Sequence, residues 1–160
     1  MFRSDKQSPL LPEQKAGFAG LPYYPFDPAF RVPASLTPDP AAGSTIIQLP
    51  TSAQEMRKMR RVGTLTFTIA GTPLVLTAFA DAETRSMNQL FVPFFDGTSG
   101  AGTYEGGRYL ELPRTPTGMY DLDFNLAYHP YCVYNPSYVC PVPPRENRLA
   151  IPIPAGEKLR

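Results

Sequence analysis

The sequence predicts a mostly β fold, a small antiparallel barrel or sandwich of about eight strands with a Pro-rich N-terminal strap and little helix. Three observations point there. Of the 160 residues, 20 are Pro, and Pro inside a helix removes a hydrogen bond and clashes with the preceding turn, which excludes a helical bundle. Short apolar runs recur along the chain with Pro and Gly between them. Several of these runs alternate apolar and polar residues with a period of two, the repeat of a half-buried strand.

The length suits one domain, 1–160, with an extended strap over 1–40 and a β core over 41–160 that ends in a Cys/Pro motif. Within the strap, Pro12-Glu13-Gln14-Lys15-Ala16-Gly17 is the one short helical candidate, with Pro near its start and Gly at its end. Leu21-Pro22-Tyr23-Tyr24-Pro25-Phe26-Asp27-Pro28 can be neither regular helix nor central strand. Phe18, Tyr23, Tyr24, Phe26 and Phe30 carry too much apolar area for a solvated tail, so the strap is expected to pack over the core.

Strands follow from residue 30 onward. Phe30-Arg31-Val32 opens the first and Thr45-Ile46-Ile47-Gln48-Leu49 forms the second. In Thr64-Leu65-Thr66-Phe67-Thr68-Ile69, Leu65, Phe67 and Ile69 share one face and three threonines the other. Gly71-Thr72-Pro73 marks a turn, and Leu74-Val75-Leu76-Thr77-Ala78-Phe79 returns as a central strand, apolar on both faces. Leu90-Phe91-Val92-Pro93-Phe94-Phe95 is a strand that Pro93 assigns to an edge or a bulge. Residues 96–102 form a flexible loop, and 108–112, 119–125 and 149–153 give three more strands. Arg57, Lys58, Arg60 and Arg61 are read as the solvated start of a strand.

The net charge of +1 gives no strong field for nucleic acid or an anionic membrane, so neither is expected as a partner. No apolar run reaches the length of a membrane span. The Met1 end lacks the apolar stretch of a secretory signal, which predicts a cytoplasmic protein. The sequence defines no cofactor. The expected partner is a small molecule.

Three groups of residues could carry chemistry. Asp121, Asp123 and Asn125 alternate with Tyr120, Leu122 and Phe124, which places two carboxylates and an amide on one strand face. Neighbouring carboxylates can bind a cation or perform acid–base work, although a solvated strand face is the simpler reading. Arg108 shares a face with Leu110 and Leu112, so it sits at a strand end or is buried against a carboxylate, with Asp123 and Glu146 as candidate partners. Cys132 and Cys140, spaced C-x7-C with Asn135-Pro136 between, could close a disulfide worth about 2.5 kcal/mol. With His129, the single histidine, they are also the conceivable metal ligands, but the spacing is not that of a zinc site and no metal is favoured. His129 would be the only possible histidine base. Pro141-Val142-Pro143-Pro144 stiffens the chain ahead of Glu146 and Asn147.

The stretches Gly107-Arg108-Tyr109-Leu110, Asp123-Phe124-Asn125-Leu126-Ala127-Tyr128-His129-Pro130-Tyr131-Cys132 and Cys140-Pro141-Val142-Pro143-Pro144-Arg145-Glu146-Asn147 together resemble the bacterial domain-of-unknown-function family numbered 1684. Ala155-Gly156-Glu157 and the opening Ser8-Pro9-Leu10 and Phe18-Ala19-Gly20-Leu21-Pro22-Tyr23-Tyr24-Pro25 add to that resemblance. It implies a single compact domain and no assigned activity. Many members have Asn where this chain has His129, which weighs against a mechanism built on that histidine.

Two functions are therefore set against each other. One is a β domain binding a small ligand in a pocket near the Gly-Gly-Arg-Tyr and Asp-Phe-Asn motifs, with Tyr104, Arg108, Asp123, Asn125, Tyr128, Glu146 and Asn147 as ligand-binding residues. The other is an acid–base or hydrolytic enzyme using Asp123 or Glu146, with Arg108 stabilising negative charge. A metal or redox centre at Cys132 and Cys140 is a further alternative. A fourth reading makes the C-terminal motif structural, with Asp123, Asn125 and Asn147 satisfying backbone groups of Pro-rich segments that lack strand partners.

Overall fold

Seven strands form one antiparallel sheet in the computed structural model, which describes residues 21–39, 46–51, 56–81, 89–135 and 138–159. The strands are β1 (Arg31–Pro38), β2 (Ile46–Pro50), β3 (Met56–Ile69), β4 (Thr72–Asp81), β5 (Gln89–Phe94), β6 (Arg108–Pro113) and β7 (Met119–Asp123). Their order is β6-β5-β4-β3-β1-β7, with β2 added beside β3. Paired hydrogen bonds between Tyr109 of β6 and Tyr128, five residues past β7, draw the two ends together into a nearly closed barrel. Among the described residues, helical structure is confined to short 3₁₀ turns, and no helix is long and apolar enough to cross a membrane.

The central hairpin follows the sequence pattern. Leu65, Phe67 and Ile69 of β3 point into the core, and Leu74, Leu76 and Ala78 of β4 meet them there. Ile69 pairs with Thr72, which leaves Ala70 and Gly71 as a two-residue loop. Both have positive φ, 50° and 81°, the left-handed geometry that matches strand twist in a tight hairpin and that Gly supplies without strain. From β5, Leu90, Val92 and Phe94 fill the same interior, and Leu110 and Leu112 do so from β6. Side chains therefore fill the barrel, which leaves any ligand pocket to be sought outside its core. A smaller apolar cluster of Leu49, Met59 and Phe79 sits on the outer face, with Phe91 packed against it.

Several expectations are corrected. Residues 149–153 form no strand, because this Pro-flanked stretch meets its neighbours only through isolated bonds such as Leu149 N–H to the Phe95 carbonyl at 2.8 Å. Residues 96–102 are a tightly bonded turn rather than a flexible loop. The buried Asp96 carboxylate accepts from Thr98 N–H and Oγ1, and from Ile153 N–H at 2.6 Å. Pro93 lies in β5, between β4 and β6, and not at an edge. The ladder between β4 and β5 is reduced to the Phe79–Phe91 pair. Beyond it the Asn147 side chain takes the place of a strand partner. Its Oδ1 accepts from Thr77 N–H at 2.8 Å, and its Nδ2 donates to the carbonyls of Thr77 and Pro93 at 2.9 and 2.8 Å. Pro93 has no N–H to offer, so an amide side chain completes the sheet where the backbone cannot.

Asn125 repeats the device at the strap. Its Oδ1 accepts from Asp27 N–H at 3.0 Å and its Nδ2 donates to the Asp27 carbonyl at 2.9 Å. Tyr24 N–H to Gly156 O and Lys158 N–H to Pro22 O hold the strap to the C-terminal segment. Phe30 packs against the core, as expected, but Phe26 is 66% exposed. The strap length is also shorter than 1–40, since β1 belongs to the sheet. Phe18 and the helical candidate at 12–17 lie outside the described residues.

Removing the fully buried Asn147 amide orphans one N–H and two carbonyls, whereas the Asn125 amide is half-buried and water can replace it. Asn147→Ala should lower unfolding free energy by about 3 kcal/mol and Asn125→Ala by about 1 kcal/mol in urea titrations. Equal losses would show that the β4–β5 gap does not depend on Asn147.

Candidate functional site

The sequence-predicted polar residues are dispersed by the fold. Arg108 is fully buried, with its guanidinium carbon 5.3 Å from the centre of the Phe94 ring. Its partner is Asp96, at 3.4 Å, and neither Asp123 nor Glu146. The same guanidinium donates to the carbonyls of Ile153, Ala155 and Glu157. A buried charge needs such a full set of acceptors to offset its lost hydration. Its Nε has no hydrogen-bond partner. Asp123 accepts from Asn125 N–H and Nδ2, capping the turn at Phe124–Leu126. Glu146 pairs with Arg61 at the surface, at 3.0 Å, and Asp121 with Arg31 at 2.7 Å. The carboxylates and arginine of the enzymatic reading thus point to separate places.

His129 is buried and fully engaged. Its Nε2 accepts the Tyr104 N–H at 3.2 Å, so in this arrangement Nδ1 carries the proton. That Nδ1–H faces Glu157 Oε2 at 2.8 Å, and the other oxygen of Glu157 accepts the His129 backbone N–H at 3.2 Å. Neither ring nitrogen is left for a metal or for proton abstraction. Cys132 and Cys140 are thiols rather than a disulfide, with the Cys132 N–H donating to Cys140 Sγ at 3.3 Å. Burial, followed by the contact with Cys132, pushes the Cys140 thiol up to about 12. Among the described residues, no three His, Cys, Asp or Glu side chains gather as a metal site.

A different place carries the features of a site. Met59 of β3, Phe91 of β5 and Tyr109 and Glu111 of β6 alternate with core residues and so face outward. Residues 128–131, 134 and 138–141 stand over this outer face, and between them and the sheet lies a cleft of about 830 Å³. Six tyrosines line it: Tyr23, Tyr109, Tyr128, Tyr131, Tyr134 and Tyr138. Edge-on contacts fix the walls, with Tyr109 against Tyr128 at 5.8 Å, Phe91 against Tyr109 at 4.7 Å and Tyr131 against Tyr138 at 5.4 Å between centroids. Tyr109 donates its hydroxyl to the Pro141 carbonyl, and Tyr128 donates to Glu111 Oε1 at 2.7 Å. Burial holds both phenols far above their ordinary range, with the Glu111 bond adding to the effect at Tyr128.

Of the residues proposed from sequence, Tyr128 lines this cleft, while Tyr104, Arg108, Asp123, Asn125, Glu146 and Asn147 do not. His129 and Cys140 border it. Arg57 is exposed, as the solvated basic run predicts, but it also lines the cleft from β3, which sequence reasoning did not foresee. The density of tyrosine in residues 128–138 was the available signal for the wall.

The His129 geometry can be read directly by nitrogen-15 spectra, since the chain has a single histidine. We expect the neutral tautomer protonated on Nδ1. Glu157→Gln sets an amide N–H₂ or a lone acceptor against two donors, so it should cost about 2 kcal/mol and disturb that tautomer. An Nε2–H signal in the parent protein would refute the assignment. For the cysteines, two thiols should titrate after non-reducing denaturation. In the folded protein at pH 8, iodoacetamide should modify half-buried Cys132 well before Cys140, whose thiolate is scarce at that pH. Faster reaction at Cys140 would contradict its buried setting.

Comparison with known proteins places the chain in a family. It belongs to the family described as "Protein of unknown function (DUF1684)", whose model matches residues 16–158. It is also similar to an uncharacterized protein of Haloarcula marismortui whose structure was solved by solution NMR. The two share 39% identity and superpose with a TM-score of 0.78, over 99% of this chain and 86% of the other. No curated protein matches the chain.

Proposed function

We propose that this member of the DUF1684 family is a small-ligand-binding β domain, and that its binding site is the tyrosine-lined cleft on the outer face of the barrel. The observation that carries the reading is the cleft itself. Its volume of about 830 Å³ falls within the range of sites that enclose a whole small molecule. Its walls are aromatic rings held by edge-on contacts, so little side-chain entropy remains to be lost on binding. The sequence-derived pocket near the Gly-Gly-Arg-Tyr and Asp-Phe-Asn motifs is kept in part, through Tyr109 and Tyr128, and is assigned to the outer face of the barrel. The reading carries a cytoplasmic location, as the sequence expectation has it.

An enzymatic reading gains no support from the geometry, because Arg108, Asp123 and Glu146 each serve a separate structural contact. The polar residues of the family-like motif hold the chain that roofs the cleft. Of these, Arg108, Asp123, Asn125 and Asn147 do not line the site, while His129 and Glu157 stand at its edge.

The test uses 2-naphthamide, a neutral planar ring, titrated into the protein while tyrosine ring signals are followed. Shifts should concentrate on Tyr131, Tyr134 and Tyr138. Tyr131→Ala, at a position 41% exposed, should weaken binding about fivefold without unfolding the protein. Shifts centred on the β1–β7 side would reject the cleft as the site, as would failure of both this probe and its carboxylate counterpart, 2-naphthoate, to bind.

A further inference from the structure

The charged groups around the cleft are not equivalent. Both oxygens of Glu157 accept from His129, and Glu111 accepts the Tyr128 hydroxyl at 2.7 Å. Arg57 is different. It lies on the outward face of β3, two residues before Met59, and lines the cleft. Among the described residues its guanidinium has no hydrogen-bond or ion-pair partner. Arg61, on the same strand, shows the contrast, being held by Asp39 at 3.2 Å and Glu146 at 3.0 Å. The Arg57 charge is felt at the cleft wall, where it favours the ionised forms of Tyr109 and Cys140 against the effect of burial.

A guanidinium beside an aromatic cleft, with the nearby carboxylates already bonded, is a receptor for one kind of group. We infer that the ligand is a planar ring compound bearing one carboxylate or comparable anion, with its ring against the tyrosines and its anionic group on Arg57. This rests on the binding reading above and deepens it. The fork of the guanidinium suits a carboxylate, since two parallel N–H donors meet two oxygens. A cationic ligand would meet Arg57 repulsively and would share Glu111 with the Tyr128 hydroxyl on its Oε1. A neutral ring would leave the arginine without a role.

The experiment compares 2-naphthoate with 2-naphthamide, which match in shape and differ in charge, against the full chain. Naphthoate should bind about tenfold tighter than the amide, the scale of a hydrogen bond to a charged group. Arg57→Gln should remove most of that preference, and raising the salt concentration should narrow it. Lys58→Gln, at the neighbouring position on the opposite face of β3, should leave it intact. Equal binding of the two probes, a preference that survives Arg57→Gln, or tighter binding of the cationic 2-naphthylmethylammonium would overturn the inference while leaving the cleft in place. Failure of every probe to bind would overturn the cleft reading itself, and the inference with it.

Discussion

The Arg108 guanidinium is the interaction on which the rest of the structure depends. It lies at the start of β6, beneath the ring of Phe94, where no water reaches it. Its acceptors are the carbonyls of residues 153, 155 and 157, every second residue of a segment with no strand partner. A guanidinium can serve this role because it presents several donors in one plane, and the charge strengthens each bond in a dry setting. Asp96 balances that charge and also holds the Ile153 N–H. The pair therefore binds the end of the chain to the barrel through backbone groups alone, without regard to the side chains of the tail.

From that anchor the site is assembled stepwise. With its carbonyl on Arg108, Glu157 turns its carboxylate to His129, and His129 in turn holds the Tyr104 N–H. Gly156 is needed between them. Its φ is +80°, and a Cβ there would stand 2.6 Å from the Phe124 carbonyl oxygen. His129 sits between Tyr128, whose backbone closes the barrel, and Pro130 and Tyr131, which begin the outer wall of the cleft. A buried polar chain thus connects the tail of the protein to the aromatic wall. The Asn147 amide does the corresponding work at the other end of the crossing chain, where it fastens residues 145–149 to β4 and β5.

How far the sequence reveals this depends on the range of the interactions. The β3–β4 hairpin is legible because its period-two pattern and its turn lie within twenty or so residues and the same rules recur in every hairpin. The role of Asn125 and Asn147 is legible in kind, since Pro-rich backbone must find side-chain partners. Which backbone groups they satisfy is not, because Asn147 and Thr77 are 70 positions apart. Asp96 was hidden by its Gly-rich neighbours, which read as a mobile loop, although its burial is set by an arginine twelve residues on. Arg57 was hidden by its basic neighbours. Its spacing from Met59 places it on the outer face, but that face becomes a cleft through residues 128–131 and 138–141, far along the chain. The resemblance to DUF1684 marks the C-terminal motif and leaves its purpose open, since its polar residues support a site lined mainly by tyrosines.

The distribution of protons around the cleft favours the binding proposal over acid–base catalysis by these groups. A general acid or base must exchange its proton near neutral pH and must reach the ligand. Tyr109 and Tyr128 are held protonated by burial, and their hydroxyls are spent on Pro141 and Glu111. The His129 ring has its acceptor nitrogen on a backbone N–H and its donor nitrogen on Glu157. Cys140 keeps its proton to about 12. Arg57 also faces the cleft, and its guanidinium fork suits holding an anion rather than moving a proton. Aromatic walls, the committed hydroxyls of Tyr109 and Tyr128 and the Arg57 charge are features suited to selecting and holding a molecule, which is what the binding proposal rests on.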